Sequence, residues 1–123
     1  MAKLEKVDGN EQKIVRRGWG KEIWIENIQD YCGKLLIVEA GKRGSLHFHM
    51  NKLETMYLQS GRIDLKMVDP DTGKPYIICL FPGDSVRILR GQVHQIIGIE
   101  ASELFEFSTI HDERDSLRVE KGD

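Results

Sequence analysis

The chain predicts an all-β domain, a small barrel or sandwich, on three observations. From Glu22 onward it runs as short apolar or alternating stretches separated by turn formers. Where the alternation is cleanest, Ile63, Leu65 and Met67 fall on one face and Arg62, Asp64 and Lys66 on the other, the pattern of a strand with one wet side. No segment carries sustained helical periodicity between a start and a stop signal.

In order, the strand-like runs are Ile23 to Ile25, Lys34 to Glu39, Thr55 to Gln59, Arg62 to Val68, Tyr76 to Phe81, Ser85 to Leu89, Val93 to Ile97 and Glu103 to Thr109. Eight short strands suit a closed or two-layered β fold. Asp69-Pro70-Asp71-Thr72-Gly73-Lys74-Pro75 is rich in turn formers and predicts an exposed hairpin loop. Asp112 to Leu117 has the composition for one short helical turn. The first dozen residues are charged and poor in apolar anchors, which predicts an arm. The organisation expected is one domain over 1–123, with an N-terminal arm at 1–17, a barrel at 18–110 and a tail at 111–123.

At 123 residues the chain is long enough for one substantial core and too short for two. Hydrophobic residues make up 40% and charged residues 31%, an ordinary globular balance. A formal net charge of −2 with no long basic run gives no electrostatic footprint for nucleic acid or an anionic membrane. The longest apolar stretch, Tyr76 to Phe81, is far short of a membrane span, and the polar start lacks a signal peptide's apolar core, so cytoplasm is the expected compartment. Cys32 and Cys79 are expected to be reduced and buried rather than bridged.

Four metal-competent side chains lie on two short stretches: His47, His49 and Glu54, with His94 further on. On a strand, residues two apart share a face, so His47 and His49 would project side by side with Phe48 turned away. Glu54 opens the next apolar run, which predicts a hairpin partner strand carrying a carboxylate back to the histidines. A later antiparallel strand would bring in His94. Three imidazoles and a carboxylate suit Zn, Mn, Fe, Ni or Cu and leave coordination positions open. A single histidine in a strand reads equally well as a core or surface residue; three of the chain's four histidines converging on one pattern argue for metal. His111, in the polar stretch His111-Asp112-Glu113-Arg114-Asp115, is expected in a solvated loop and is left out of the set.

The spacing Gly41-x5-His47-x-His49-x4-Glu54-x6-Gly61 resembles the first motif of the cupins at every defining position. Of the second motif, Gly-x5-Pro-x-Gly-x2-His-x3-Asn, Gly83, Gly91 and His94 are in place, with Leu89 for the proline and Gly98 for the asparagine. The resemblance implies a jelly-roll barrel of antiparallel strands (a double-stranded β-helix) with one divalent metal in its mouth, held by His47, His49, Glu54 and His94. It also implies homodimers formed through N-terminal strands.

Gly18-Trp19-Gly20, the run Lys34 to Ser45, and the tail from Phe107-Ser108-Thr109 to Asp115-Ser116-Leu117-Arg118 are similar to type II phosphomannose isomerase domains. The match is to the wider group: that family's tail ends near an Asp-Tyr-Gly and this chain closes on Glu120-Lys121-Gly122-Asp123. The implied activity is metal-dependent isomerisation of a sugar or sugar phosphate in carbohydrate metabolism. An aldose–ketose isomerase needs a Lewis acid across adjacent oxygens and a base that moves a proton between neighbouring carbons. Glu106 is the candidate base if its face of the last strand points inward, while a solvent-facing Glu106 is the alternative. Arg43, Lys52, Arg62, Arg87 and Arg90 lie near the motif ends as candidate anion grips or plain surface charges. A metal-dependent dioxygenase, with Phe48, Met56, Phe81 and Phe107 lining an apolar pocket, and a non-catalytic sugar-binding cupin remain open beside the isomerase.

Overall fold

The computed structural model describes residues 13–123. They form eleven strands: β1 (Lys13–Arg17), β2 (Gly20–Asn27), β3 (Cys32–Val38), β4 (Leu46–Phe48), β5 (Glu54–Ser60), β6 (Ile63–Val68), β7 (Pro75–Leu80), β8 (Ser85–Ile88), β9 (His94–Gly98), β10 (Ser102–Ser108) and β11 (Leu117–Glu120). One 3-10 turn, Glu113–Asp115, falls inside the segment expected to turn.

The strands make two antiparallel sheets, ordered β1-β2-β3-β10-β5-β8 and β11-β4-β9-β6-β7. From β3 to β6, and again from β7 to β11, the chain passes from one sheet to the other at every crossing, the winding of a jelly roll. Alternation supplies the core. Leu36, Val38, Met56, Leu58, Ile88 and Leu104 of the first sheet pack against Ile63, Leu65, Met67, Leu80 and Ile96 of the second in one buried cluster. The face read from Ile63, Leu65 and Met67 is inward, all three residues being at most 1% exposed.

Three strands had no apolar run to announce them. Residues 13–17, expected as part of an arm, pair with β2, and residues 117–120 of the expected tail pair with β4. β4 itself is only three residues long. The remainder of the arm, residues 1–12, lies outside the described residues. The loop from 69 to 74 joins β6 to the antiparallel β7 as anticipated, closed by the Asp69 amide donating to the Lys74 carbonyl at 2.9 Å.

The hairpin expected between the histidines and Glu54 does not form. β4 pairs with β9 and β11, whereas β5 pairs with β10 and β8 in the opposite sheet. The residues between them cross the barrel mouth, so His49 and Glu54 meet across the interior rather than along a ladder. A four-residue gap, Met50 to Leu53, suits either path, and which sheet is short of a strand decides. Gly61 ends β5 at φ 86°, in the left-handed region, where a side chain would collide with the Ala101 carbonyl. Cys32 is buried and free as expected, while Cys79 is free but exposed, because β7 is a sheet edge. Among the described residues no helix is long and apolar enough to cross a membrane.

Candidate metal centre

Strand register builds the site. His47 of β4 lies directly opposite His94 of β9, so their side chains leave the sheet on the same side. Their ring centroids are 4.4 Å apart, and His49, one residue past the end of β4, lies 4.9 Å from His47 and 5.8 Å from His94. One ring nitrogen from each of the three converges within 4.8 Å of the others.

Each imidazole is oriented by a backbone carbonyl. His47 Nδ1 donates to the Ser45 carbonyl at 2.9 Å, His94 Nδ1 to that of Gln92 at 2.9 Å, and His49 Nδ1 to that of Asp115 at 3.1 Å. A carbonyl only accepts, which assigns the proton to Nδ1 in all three rings and leaves the Nε2 lone pairs free. Burial and the neighbouring His94 push the His47 pKa down to about 4. Burial lowers that of His49 too, with Lys52 and His94 adding to it and Glu54 opposing. Both rings are therefore neutral at pH 7, the form that binds metal.

Glu54 faces the imidazoles from β5, its Oε1 3.5 Å from His94 Nε2 and its Oε2 3.6 Å from His49 Nε2. Two atoms each about 2.1 Å from a shared ion and about 109° apart would be separated by about 3.4 Å. Both carboxylate oxygens and His94 Nε2 are buried without a hydrogen-bond partner among the described residues. Burial would raise the Glu54 pKa, but contact with His94 and the charge of Lys52 outweigh it and hold the carboxyl below the ordinary carboxylate range. A buried carboxylate beside three converging imidazole nitrogens, with both of its oxygens and His94 Nε2 short of partners, fits a divalent metal.

The floor of the site is charged. Glu106 points inward on β10, 6% exposed, which settles the alternation: Phe107 is on the outside. It is already ion-paired, with Lys52 Nζ 2.6 Å from its Oε2 and 3.5 Å from Glu54 Oε2. These carboxylates outweigh the burial of Lys52 and raise its pKa, so the ammonium stays charged. Lys34 stands directly across from Glu106 on β3 and is buried, bonded to Glu22 Oε1 at 3.1 Å and lying 4.1 Å over the Trp24 ring. Glu22 also takes Arg17 at 2.7 Å.

Arg17, Glu22, Lys34, Lys52 and Glu106 line a cavity of about 630 Å³ that also reaches His47 and His49, with Arg16, Arg118 and Lys121 on its wall. Of the cations named from the sequence, Lys52 lines it; Arg43, Arg62, Arg87 and Arg90 do not. Met56 is the member of the expected apolar lining that reaches it, since Phe81 and Phe107 are exposed on the outside.

His111 is not solvated. Its side chain is 6% exposed, packs edge-on against Trp24 at 5.2 Å and accepts at Nδ1 from Lys52 Nζ at 3.0 Å. Burial, with the charges of Lys52 and Lys34, lowers its pKa. The polar run around it hid an imidazole that closes one side of the site. Lys34 was missed although it shares the parity of Leu36 and Val38, the signal that would have placed it inward. Asp115 left no signal, because its contacts depend on how the tail packs.

No family model matches the chain, and no curated protein matches it in sequence. Among solved structures it is similar to a tryptophan-to-tyrosine variant of oxalate decarboxylase from Bacillus subtilis, with a TM-score of 0.79 at 17% identity over 89% of this chain and 30% of that one. The same enzyme at pH 4.6 gives a TM-score of 0.77 at 17% identity, again over 89% and 30%. A third structure, described for the Mn(II) centres of that decarboxylase, gives 0.78 at 17% identity over the same shares. The chain thus spans about 30% of the length of the proteins it resembles. The likeness shows the fold: this is a cupin jelly roll, with a three-histidine cluster able to hold a divalent metal ion in its mouth.

Proposed function

We propose that the chain is a metal-dependent cupin enzyme that isomerises a sugar or sugar phosphate, with one divalent ion (Zn, Mn, Fe or Ni) held by His47, His49, Glu54 and His94. The observation that carries this reading is the buried Lys52–Glu106 pair, 2.6 Å apart, on the cavity wall beside Glu54. A bound divalent ion would supply the Lewis acid that polarises adjacent substrate oxygens. Glu106 then takes the proton from one carbon and returns it to its neighbour. Lys52 holds Glu106 aimed through their 2.6 Å contact, and Lys34 and Glu22 offer donors and acceptors to substrate hydroxyls. The charged floor favours a polar substrate over the apolar one expected of a dioxygenase.

A second reading, decarboxylation of a small carboxylate, is favoured by the cations on the cavity wall, Arg16, Arg17, Lys34, Lys52, Arg118 and Lys121. A homodimer is the proposed solution unit, supported by Phe105 and Phe107 stacked 5.9 Å apart on the outer face of β10 with Phe107 52% exposed.

The test loads the protein with Mn(II), Zn(II) or Fe(II) and incubates it with aldose and ketose phosphates in D2O. Deuterium entering the carbons beside the carbonyl, lost on chelation and in Glu106→Gln, supports the isomerase. Release of carbon dioxide from small carboxylates moves the assignment to the second reading. Oxygen uptake moves it to a dioxygenase, and metal binding without any turnover leaves a binding protein.

A further inference from the structure

The segment that crosses the barrel mouth from His49 to Glu54 belongs to neither sheet, so its amides have no ladder partner. Three of them are satisfied from one place. Asp115 Oδ1 accepts from the Met50 amide at 2.9 Å and the Asn51 amide at 3.2 Å, and Oδ2 from the amides of Asn51 at 3.1 Å and Lys52 at 3.2 Å. The next amide, Leu53, donates to Thr109 Oγ1 at 3.1 Å, and Thr109 returns its own amide to the Leu53 carbonyl at 3.0 Å. The Asp115 carbonyl in turn receives His49 Nδ1 at 3.1 Å. One residue of the tail therefore holds the imidazole at one end of the crossing and the backbone that carries Lys52 toward Glu54 at the other.

The strap that presents Asp115 is itself anchored. Asn27 brackets His111, donating from Nδ2 to its carbonyl at 3.1 Å and accepting its amide at Oδ1 at 2.8 Å. Arg17 reaches Glu113 at 3.2 Å. The 3-10 turn is closed by the Asp115 amide on the Asp112 carbonyl at 2.9 Å.

From this geometry we infer that Asp115 is the positioning residue of the metal centre: it sets the separation of His49 and Glu54 across the gap between the sheets, and metal affinity depends on it. The inference rests on the metal-binding reading above. Removing the carboxylate frees three consecutive backbone donors and lets the crossing relax. Losing a group that orients ligands typically weakens metal binding about 10- to 100-fold.

The test measures Co(II) affinity by chelator competition, and the visible spectrum of the Co(II) protein, in the parent, Asp115→Asn, Asp115→Ala and Asp84→Ala. The last removes a comparable carboxylate that accepts the Phe81 amide at 2.8 Å in the β7–β8 turn. The expected result is affinity weakened about 10- to 100-fold with an altered spectrum in Asp115→Ala. Asp115→Asn, which keeps one accepting oxygen, falls between. Asp84→Ala keeps the parent affinity and spectrum whatever its thermal midpoint. A parent that binds Co(II) and an Asp115→Ala that binds it equally, with the same spectrum, overturns the positioning role alone. A parent that binds no Co(II) overturns the metal site beneath it.

Discussion

The two sheets face each other across the barrel mouth and furnish it differently. The five-stranded sheet presents His47 and His94, imidazoles each pinned by a carbonyl two residues back in its own chain. The six-stranded sheet presents Glu22, Lys34, Glu106 and Glu54, to which the crossing adds Lys52, a run of alternating charges bridged by ion pairs at 2.6 to 3.5 Å. Deeper in the barrel the difference disappears, and Leu36, Leu58 and Leu104 of one sheet meet Ile63, Leu65 and Leu80 of the other. The contrast is therefore confined to the mouth. One wall offers imidazole lone pairs, and the other holds ion-paired groups in a buried setting, where each is costly unless partnered.

The largest expected effect breaks the lone-pair wall. His49→Ala should take stoichiometric metal content to near zero, because the site loses a donor and the open mouth has nothing to replace it. Elemental analysis of the purified variant reads this directly, and unchanged content would remove His49 from the site. On the proposed reading, Glu106→Gln should then cut turnover by about 10²- to 10⁴-fold while metal content stays at the parent level. Equal loss of metal and activity would place Glu106 in support of the ion instead of in the chemistry.

A third change asks whether the charged wall behaves as a unit. Lys52→Met leaves Glu106 and Glu54 buried with their shared cation gone, and should cost about 3–5 kcal/mol in urea unfolding of the metal-free protein. Adding Glu106→Gln should recover part of that loss, a coupling that independent surface charges would not give. The smallest effect concerns Glu22. Burial pushes its carboxyl up, but Lys34 and Arg17 outweigh it and hold the pKa below the ordinary 4.5. Its stabilisation is therefore complete above 4.5 and is lost as pH falls through the lower folded-state value. Unfolding midpoints followed from about pH 5 to about pH 3 should decline less in Glu22→Gln than in the parent; parallel declines would show that Glu22 contributes nothing there.

The two walls also differed in how far they could be read from the chain. The lone-pair wall was legible because residues two apart share a face and because the cupin-like spacing marked His94 and the glycines at 41, 61, 83 and 91, which all take positive φ. The charged wall was largely hidden. A lysine or glutamate in a strand reads first as solvent-facing, and Lys34 becomes an inward residue only when its parity with Leu36 is allowed to outweigh its charge. His111 and Asp115 lay in a run of acidic and basic residues that looks like a surface loop, and their contacts follow from long-range packing against Trp24 and the His49–Glu54 crossing. The passage of β4 and β5 into opposite sheets was equally silent, since the four residues from Met50 to Leu53 can turn a hairpin or span a barrel mouth.

The central claim is that the converged histidines hold a metal, and elemental analysis of the parent beside His94→Ala tests it most directly. His94 is fully buried, with an unpartnered Nε2 aimed at Glu54. The account predicts near one equivalent of divalent metal per chain in the parent and close to none in the variant. A parent that stays empty after reconstitution, or a variant that retains its metal, would contradict it.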